Sequence, residues 1–186
     1  MRKNFGVQTW LYPMPVLMIG TYDENGNPDV MNAAWGGIHD TNQIGVCIDP
    51  SHKTAENLQL HQCFTVSIGD AAHVKECDYL GLVSAKDEPE KLKKAGFHAV
   101  KAENVNAPVI AELPMTLECR LIHYDTAAGC AVGEIVNISA DEKILDENGK
   151  ISVEKLRPIC FDPVHHVYRE LGAEVGKAFH DGLALK

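Results

Sequence analysis

The sequence has no long apolar run and no basic cluster, and each absence removes a class of protein. The longest apolar stretch, "PVLMIG" at 15–20, is far too short for a transmembrane helix, so no membrane association is expected. The 186 residues carry a formal net charge of −9, which argues against a nucleic-acid partner. The N-terminal "MRKNFGVQTW" has no apolar segment typical of a signal peptide.

Paired-cysteine motifs are also absent. None of the six cysteines forms a C-x-x-C pair, so reduced thiols in a cytoplasm are the simplest expectation. Each cysteine is then interpreted as a small buried apolar residue.

The adjacent His165 and His166 face opposite ways on a strand, and zinc needs three or four convergent ligands, so no metal site is predicted.

Neither of two common nucleotide-binding motifs is found. The chain has no G-x-x-x-x-G-K-[ST] loop and no G-x-G-x-x-G after a strand. Its composition is that of an ordinary globular protein, 45% hydrophobic and 23% charged. We expect one domain over residues 1–186, in which any nucleotide is bound by another architecture.

Short apolar segments separated by turn residues predict a mainly β protein with peripheral helices. Asn-Gly pairs mark turns at 24–29 and 146–150. The predicted strands lie at 15–23, 30–35, 43–49, 63–69, 115–125 and 129–141, and the predicted helices at 53–62, 70–81, 87–96 and 170–182. Tight turns and few long helices favour an antiparallel barrel over a doubly wound parallel sheet.

The segment "DPSHKTAENL" (49–58) predicts a phosphate site at the start of a helix. A helix N-terminus presents unpaired N–H groups and a partial positive charge, which together hold an anion. Lys53 adds a full charge, and the hydroxyls of Ser51 and Thr54 add donors. The alternative is an ordinary capped helix with a solvated lysine.

The segment "NAAWGG" (32–37) has almost no side-chain volume apart from Trp35. Small residues in a strand often mark the close approach of a ligand or another backbone. A planar ring over this strand and a phosphate at 51–54 together describe flavin mononucleotide (FMN). The alternative is a bulged barrel strand with a buried tryptophan.

The chain resembles the FMN-binding split-barrel flavin reductases, especially the flavoredoxin-like branch. The matching pieces, in order, are "YPMPVLMIGTYDENGNPDVMNAAWGG" (12–37), "SHKTAENL" (51–58), "DYLGLVSAKDEPEKLKKAGF" (78–97), "APVIAELPMTLECRL" (107–121), "VGEIVNI" (132–138) and "YRELGAEVG" (168–176). The resemblance implies a split β-barrel of antiparallel, Greek-key type, paired as a homodimer with one FMN per subunit near the interface.

The resemblance also assigns positions to the cofactor. Asn32, Ala33, Ala34 and Trp35 would lie along the isoalloxazine and ribityl chain, and Ser51, His52, Lys53 and Thr54 would surround the phosphate. Lys91 matches a lysine that reaches the flavin, and Phe161 would border the ring. The sequence departs from the family at Ser84, Ala85 and Lys86, where Ser-Gly-Arg is common, and at 127–130, where a histidine is missing.

The expected activity is that of an FMN-dependent oxidoreductase with NADH or NADPH as electron donor and a small molecule or protein as acceptor. The cofactor supplies the chemistry, so no catalytic acid or base is named. Two alternatives stay open at this point. One is a non-enzymatic FMN carrier that serves partner proteins, and the other is a flavin-free split barrel used for binding.

Overall fold

A computed structural model describes residues 1–186, and most of its regular structure is β. The strands are β1 (Met14–Pro15), β2 (Leu17–Tyr22), β3 (Pro28–Ala33), β4 (Gly36–Asp40), β5 (Gln43–Cys47), β6 (Cys63–Ile68), β7 (Ala99–Lys101), β8 (Pro108–Ile110), β9 (Met115–Asp125), β10 (Cys130–Ala140), β11 (Ile159–Asp162) and β12 (Val167–Glu170). The helices are α1 (Lys53–His61), α2 (Val74–Leu82), α3 (Lys91–Lys94) and α4 (Val153–Leu156), with 3₁₀ turns at Glu142–Ile144 and Asp181–Leu185. No helix is long and apolar enough to cross a membrane.

Seven strands form one antiparallel sheet in the order β3-β2-β6-β9-β10-β5-β4. The two edge strands, β3 and β4, are consecutive in the chain and joined only by Ala34 and Trp35. Three extended residue steps span at most about 11 Å, so the two edges must approach each other at this end. The sheet therefore curls into a split barrel, which confirms the predicted fold class.

The β2–β3 hairpin shows how local sequence sets this geometry. Asp23 Oδ1 accepts hydrogen bonds from the backbone N–H groups of Asn25 and Asn27, each at 2.8 Å. Gly26 takes a left-handed φ of +80°, which only glycine adopts without strain. The turn fixes the register in which Gly20 lies opposite Val30.

Strand β2 is buried on both faces, in agreement with the apolar run Leu17–Ile19 at its start. Leu17 and Ile19 pack inside the barrel around Phe64. Met18 points the other way, into a second core formed with α2, α3 and β11. Successive strand residues alternate between faces, so this one segment contributes to both cores.

Most predicted elements are confirmed within a few residues, but the C-terminal helix expected at 170–182 is wrong. Strand β12 ends at Glu170, and residues 171–176 have no regular structure. Every residue from 171 to 186 is exposed. A helix of this length is marginal unless an apolar face packs, and no such contact is available here.

Two other helices are shorter than predicted. The helix expected at 87–96 is reduced to α3, because Pro89 disfavours helical geometry in the residue before it. The helix expected at 70–81 begins at Val74, because Asp70 Oδ1 accepts hydrogen bonds from the backbone N–H groups of Ala72 and His73 at 3.1 and 3.0 Å. Asp70 therefore closes a turn ahead of α2.

Candidate functional site

A cleft of about 240 Å³ lies between the end of β3, the start of α1 and the segment that follows α2. We call it the polar cleft, and its walls are formed by Asp29, Met31, Asn32, His52, Lys53, Thr54, Leu80, Gly81, Leu82, Val83, Ser84, Ala85 and Lys91. It brings together three segments that are far apart in the sequence.

The start of α1 faces this cleft without a side-chain cap. His52 occupies the N-cap position and makes no capping hydrogen bond. The backbone N–H groups of Lys53 and Thr54 have no acceptor in the protein. The hydroxyl of Ser51 is engaged elsewhere, because it donates to Asp49 at 2.6 Å and so lowers the pKa of that carboxyl. The helix start is therefore open to an anion.

Two lysines and two glutamates surround this helix start. Lys53 Nζ lies 2.8 Å from Glu24 Oε2 and 3.4 Å from Glu56 Oε2, and the hydrogen bond with Glu24 raises the pKa of Lys53. Lys86 Nζ donates to the carbonyl of Ser51 at 2.7 Å and also pairs with Glu56. Both cations are thus held near the open N–H groups by exposed carboxylates, which a stronger anion can displace.

A buried ion pair forms the floor of the polar cleft. Lys91 Nζ lies 2.9 Å from Asp29 Oδ1, and the two side chains are only 4% and 3% exposed. Thr54 Oγ1 donates to Asp29 Oδ2 at 2.8 Å, and Lys91 Nζ donates to the carbonyl of Val83 at 3.3 Å. The pair therefore ties β3, α1, α3 and the segment after α2 to one another.

A second cavity of about 610 Å³ lies on the other side of the Ala34–Trp35 link. We call it the apolar groove, and its walls are formed by Gln8, Thr9, Trp10, Leu11, Pro13, Met14, Pro15, Ala34, Trp35, Gly36, Gly37, Ile38, His39, Gly45, Val46, Cys47 and Cys130. Trp35 is 54% exposed, so the alternative of a buried tryptophan in this strand is wrong. Apolar surface is available here to a flat ligand or another chain.

The residues predicted to contact the ring divide between these two cavities. Asn32 lines the polar cleft and donates from Nδ2 to the carbonyl of Cys77 at 3.0 Å. Ala33 is 7% exposed and points into the barrel core. Ala34 and Trp35 line the apolar groove. Phe161 lies on β11, opposite Met14 of β1, and is not part of either wall.

The residues predicted around the phosphate mostly converge. His52, Lys53 and Thr54 line the polar cleft, whereas Ser51 lies just outside its wall. Lys91 is in the floor. Sequence reasoning missed Asp29, which it treated as part of a turn, and Lys86. Lys86 could have been predicted from the resemblance, because flavin reductases commonly carry arginine at this position.

Sequence comparisons find a matching family and a related protein. A family model described as flavin reductase like domain matches residues 9–163. A curated, uncharacterized relative from Aeropyrum pernix is 27% identical over 169 residues, which cover 85% of this chain and 63% of that protein. The chain thus spans less than two thirds of that relative's length.

The structural comparisons cover 90–100% of the chain. The flavoredoxin of Desulfovibrio vulgaris (Miyazaki F) superposes with a TM-score of 0.94 at 35% identity, covering 98% of this chain and 100% of that one. The flavoredoxin from Methanosarcina acetivorans gives a TM-score of 0.89 at 27% identity, with 100% of both chains covered. Nitrilotriacetate monooxygenase component B from Bacillus cereus shares the fold, with a TM-score of 0.76 at 20% identity over 90% of this chain and 89% of that one.

Proposed function

The chain belongs to the flavin reductase like domain family, and we propose that it binds FMN and acts as an oxidoreductase with NADH or NADPH as electron donor. The family supports a flavin-related role in oxidation–reduction or electron transfer. The identity of the flavin, the donor and the acceptor are parts of the proposal.

The observation that carries the proposal is the open start of α1 in the polar cleft. Two unpaired N–H groups, at Lys53 and Thr54, face a cavity that Lys53 borders and Lys86 adjoins. Backbone donors at a helix N-terminus with adjacent cations are suited to a phosphate group. No side chain in the chain satisfies these donors, so a bound anion would complete the site.

The rest of the cofactor fits the surface between the two cavities. Asn32 presents its side-chain amide in the polar cleft, and Ala34 and Trp35 present an accessible apolar surface in the apolar groove. Residues two apart on a strand are separated by about 7 Å, so one ligand can contact both. In the proposed pose the phosphate lies at α1, the ribityl chain passes Asn32, and the ring extends toward Trp35.

Bound FMN would supply hydride acceptance at its N5 atom and onward electron transfer. The residues of this chain would bind and orient it and limit access of water to the ring. The formal net charge of −9 works against an anionic nicotinamide, so the lysines beside the polar cleft would also provide local attraction.

A second candidate function is that of an FMN-binding electron carrier without its own nicotinamide activity. The full-length similarity to the flavoredoxin of Desulfovibrio vulgaris (Miyazaki F) favours keeping this candidate. Consumption of NADH or NADPH with free FMN as acceptor separates the two functions. Turnover supports the reductase, and reduction of bound FMN only by a protein partner supports the carrier.

We also propose that the chain functions as a homodimer. The apolar groove exposes Trp35 and Ile38, at 54% and 73%, and its N-terminal wall exposes Trp10 and Leu11. Exposed apolar patches of this kind mark interaction surfaces, and closed pairs are the commonest soluble assembly. Sedimentation of the FMN-bound protein as a 20.4 kDa species would contradict the homodimer.

The test of the phosphate site is an FMN titration of Lys53→Ala beside a matched control, Lys143→Ala. Lys143 also pairs with a carboxylate, Asp141 at 2.7 Å, but it is 64% exposed and lies away from both cavities. Loss of a charge-assisted contact worth about 1.5–3 kcal/mol should weaken FMN binding by about 10-fold or more in Lys53→Ala. The control should bind as the wild type does. Equal affinity in all three proteins would contradict the phosphate assignment, and a colourless protein that takes up no FMN would contradict the function.

A further inference from the structure

Two of the six cysteines lie directly opposite each other on neighbouring strands. Cys47, the last residue of β5, is the register partner of Cys130, the first residue of β10. The remaining four cysteines have no cysteine register partner in the sheets.

Hydrogen bonds around this pair define its geometry. The N–H of Ile48 donates to the carbonyl of Gly129 at 2.8 Å, whereas the N–H of Cys47 donates to Trp35 on the other side of β5, also at 2.8 Å. Antiparallel pairs alternate between hydrogen-bonded and non-hydrogen-bonded types, so Cys47 and Cys130 form a non-hydrogen-bonded pair. Such pairs have Cα atoms about 4.5 Å apart, within the range of about 4.4–6.8 Å that disulfides need.

The two thiols also share one environment. Burial and the neighbouring Cys47 thiol both raise the pKa of Cys130. Cys47 is exposed and Cys130 is half-buried, and both line the apolar groove beside Trp35. A small molecule in the groove of a subunit without a bound ring or a second copy can therefore reach the sulfur of Cys47.

We propose that Cys47 and Cys130 form a dithiol–disulfide centre on the wall of the apolar groove, which exchanges with low-molecular-weight thiols and disulfides. This inference goes beyond the proposed flavin function and does not depend on it. It concerns the subunit whose apolar groove is open, because a bound ring or a second copy would cover the two sulfurs.

The exchange is a two-electron reaction with two steps. The thiolate of Cys47, the more exposed partner, attacks one sulfur of a small disulfide, so that a Cys47–SR bond forms and RS⁻ leaves and takes up a proton. The thiolate of Cys130 then attacks the sulfur of Cys47 and expels the second RS⁻. Two protein thiols are oxidised to one disulfide, and the small disulfide is reduced to two thiols.

The experiment treats the reduced full-length protein with oxidised glutathione, quenches it with acid, and alkylates the remaining thiols after unfolding. Four of the six cysteines should be alkylated, and peptide mapping should link Cys47 to Cys130. Reduced dithiothreitol should restore six alkylated cysteines. Retention of six free thiols, a glutathione adduct without a bridge, or a bridge through any other cysteine would overturn the proposal.

Serine variants assign the roles of the two residues. Cys130→Ser should accumulate a stable glutathione adduct on Cys47, because no resolving thiol is present. Cys47→Ser should form neither adduct nor bridge at the wild-type rate. Cys160→Ser is the matched control: Cys160 is also half-buried, but its thiol donates to the carbonyl of Arg169 at 3.4 Å. It should oxidise as the wild type does, and an equal loss of oxidation in this control would also overturn the proposal.

Discussion

The buried pair of Lys91 and Asp29 provides the sharpest test of how the site is held together. Replacing Lys91 by methionine keeps the length and much of the volume of the side chain but removes its charge. Asp29 would then keep one side-chain donor, Thr54, which is 2.8 Å away, while its carboxylate stays 3% exposed. The variant should therefore be strongly destabilised, because a buried carboxylate is left without its counter-ion.

The expected magnitude follows from the burial of both partners. Breaking a buried ion pair by removing one member costs about 3–5 kcal/mol, against a total stability of about 5–15 kcal/mol for a typical domain. For a chain of this size each kcal/mol corresponds to a shift of roughly 2–4 °C in Tm, so Tm should fall by roughly 6–20 °C. Removing both charges should restore much of the loss, because neither partner is then left unpaired.

The assay is urea unfolding of four proteins: the wild type, Lys91→Met, Asp29→Asn and the double variant. The matched control is Lys93→Met, since Lys93 lies two residues away with an 85% exposed side chain and should hardly affect stability. A loss below about 1 kcal/mol for Lys91→Met would refute the reasoning, because that is the range of exposed pairs. Additive losses in the double variant would refute the coupling of the two charges.

Three further predictions concern the cofactor and the acid range. Glu56→Gln should tighten FMN binding by up to about fivefold in a fluorescence titration, because it removes the carboxylate that pairs with Lys53 and Lys86. Unchanged or weaker binding would show that Glu56 does not compete with the phosphate for these lysines. Ala34→Leu should abolish FMN binding while far-ultraviolet circular dichroism stays unchanged, and a folded variant that binds normally would place the ring elsewhere. A hydrogen bond from the Tyr12 hydroxyl, with further donors, holds the pKa of Asp162 far below its usual range. This stabilisation is complete above the unfolded pKa of about 4 and is lost as the pH falls, so Asp162→Asn should be less stable than the wild type in urea at pH 7. The difference should narrow at about pH 3, and a constant difference would exclude this linkage.

The strands were predictable where side-chain alternation and turn residues agreed. Strand β9 has the predicted bounds, 115–125, because a proline precedes it and apolar residues alternate with polar ones from Met115 to Leu121. Strand β4 was not predicted, because "GGIHD" has neither alternation nor a buried face. Its pairing with β5 depends on the curvature of the whole sheet, and local sequence patterns do not predict that curvature.

The small residues of "NAAWGG" show why the site was only partly predictable. A Cβ at Gly36 would lie 2.8 Å from Leu17 Cδ1 and 2.9 Å from the carbonyl of Gly45, so glycine is needed there for packing within the barrel. A Cβ at Gly37 would meet nothing within 4 Å. Of these two adjacent glycines, Gly36 is therefore required by packing, whereas Gly37 leaves an open surface. The contact of Asp29 with Lys91 spans a long sequence separation, and no local pattern indicates it.

The link of two residues between β3 and β4 has a mechanical consequence. Ala34 and Trp35 tether the two edges of the sheet at one end. We therefore expect the edges to separate more easily at the opposite end, with Ala34 and Trp35 moving least. A ligand held against these two residues meets a surface that is already in place and costs little reorganisation on binding. Lengthening the tether, for example by glycine insertion between Ala34 and Trp35, would free both edges and convert a preorganised surface into one that each ligand has to assemble.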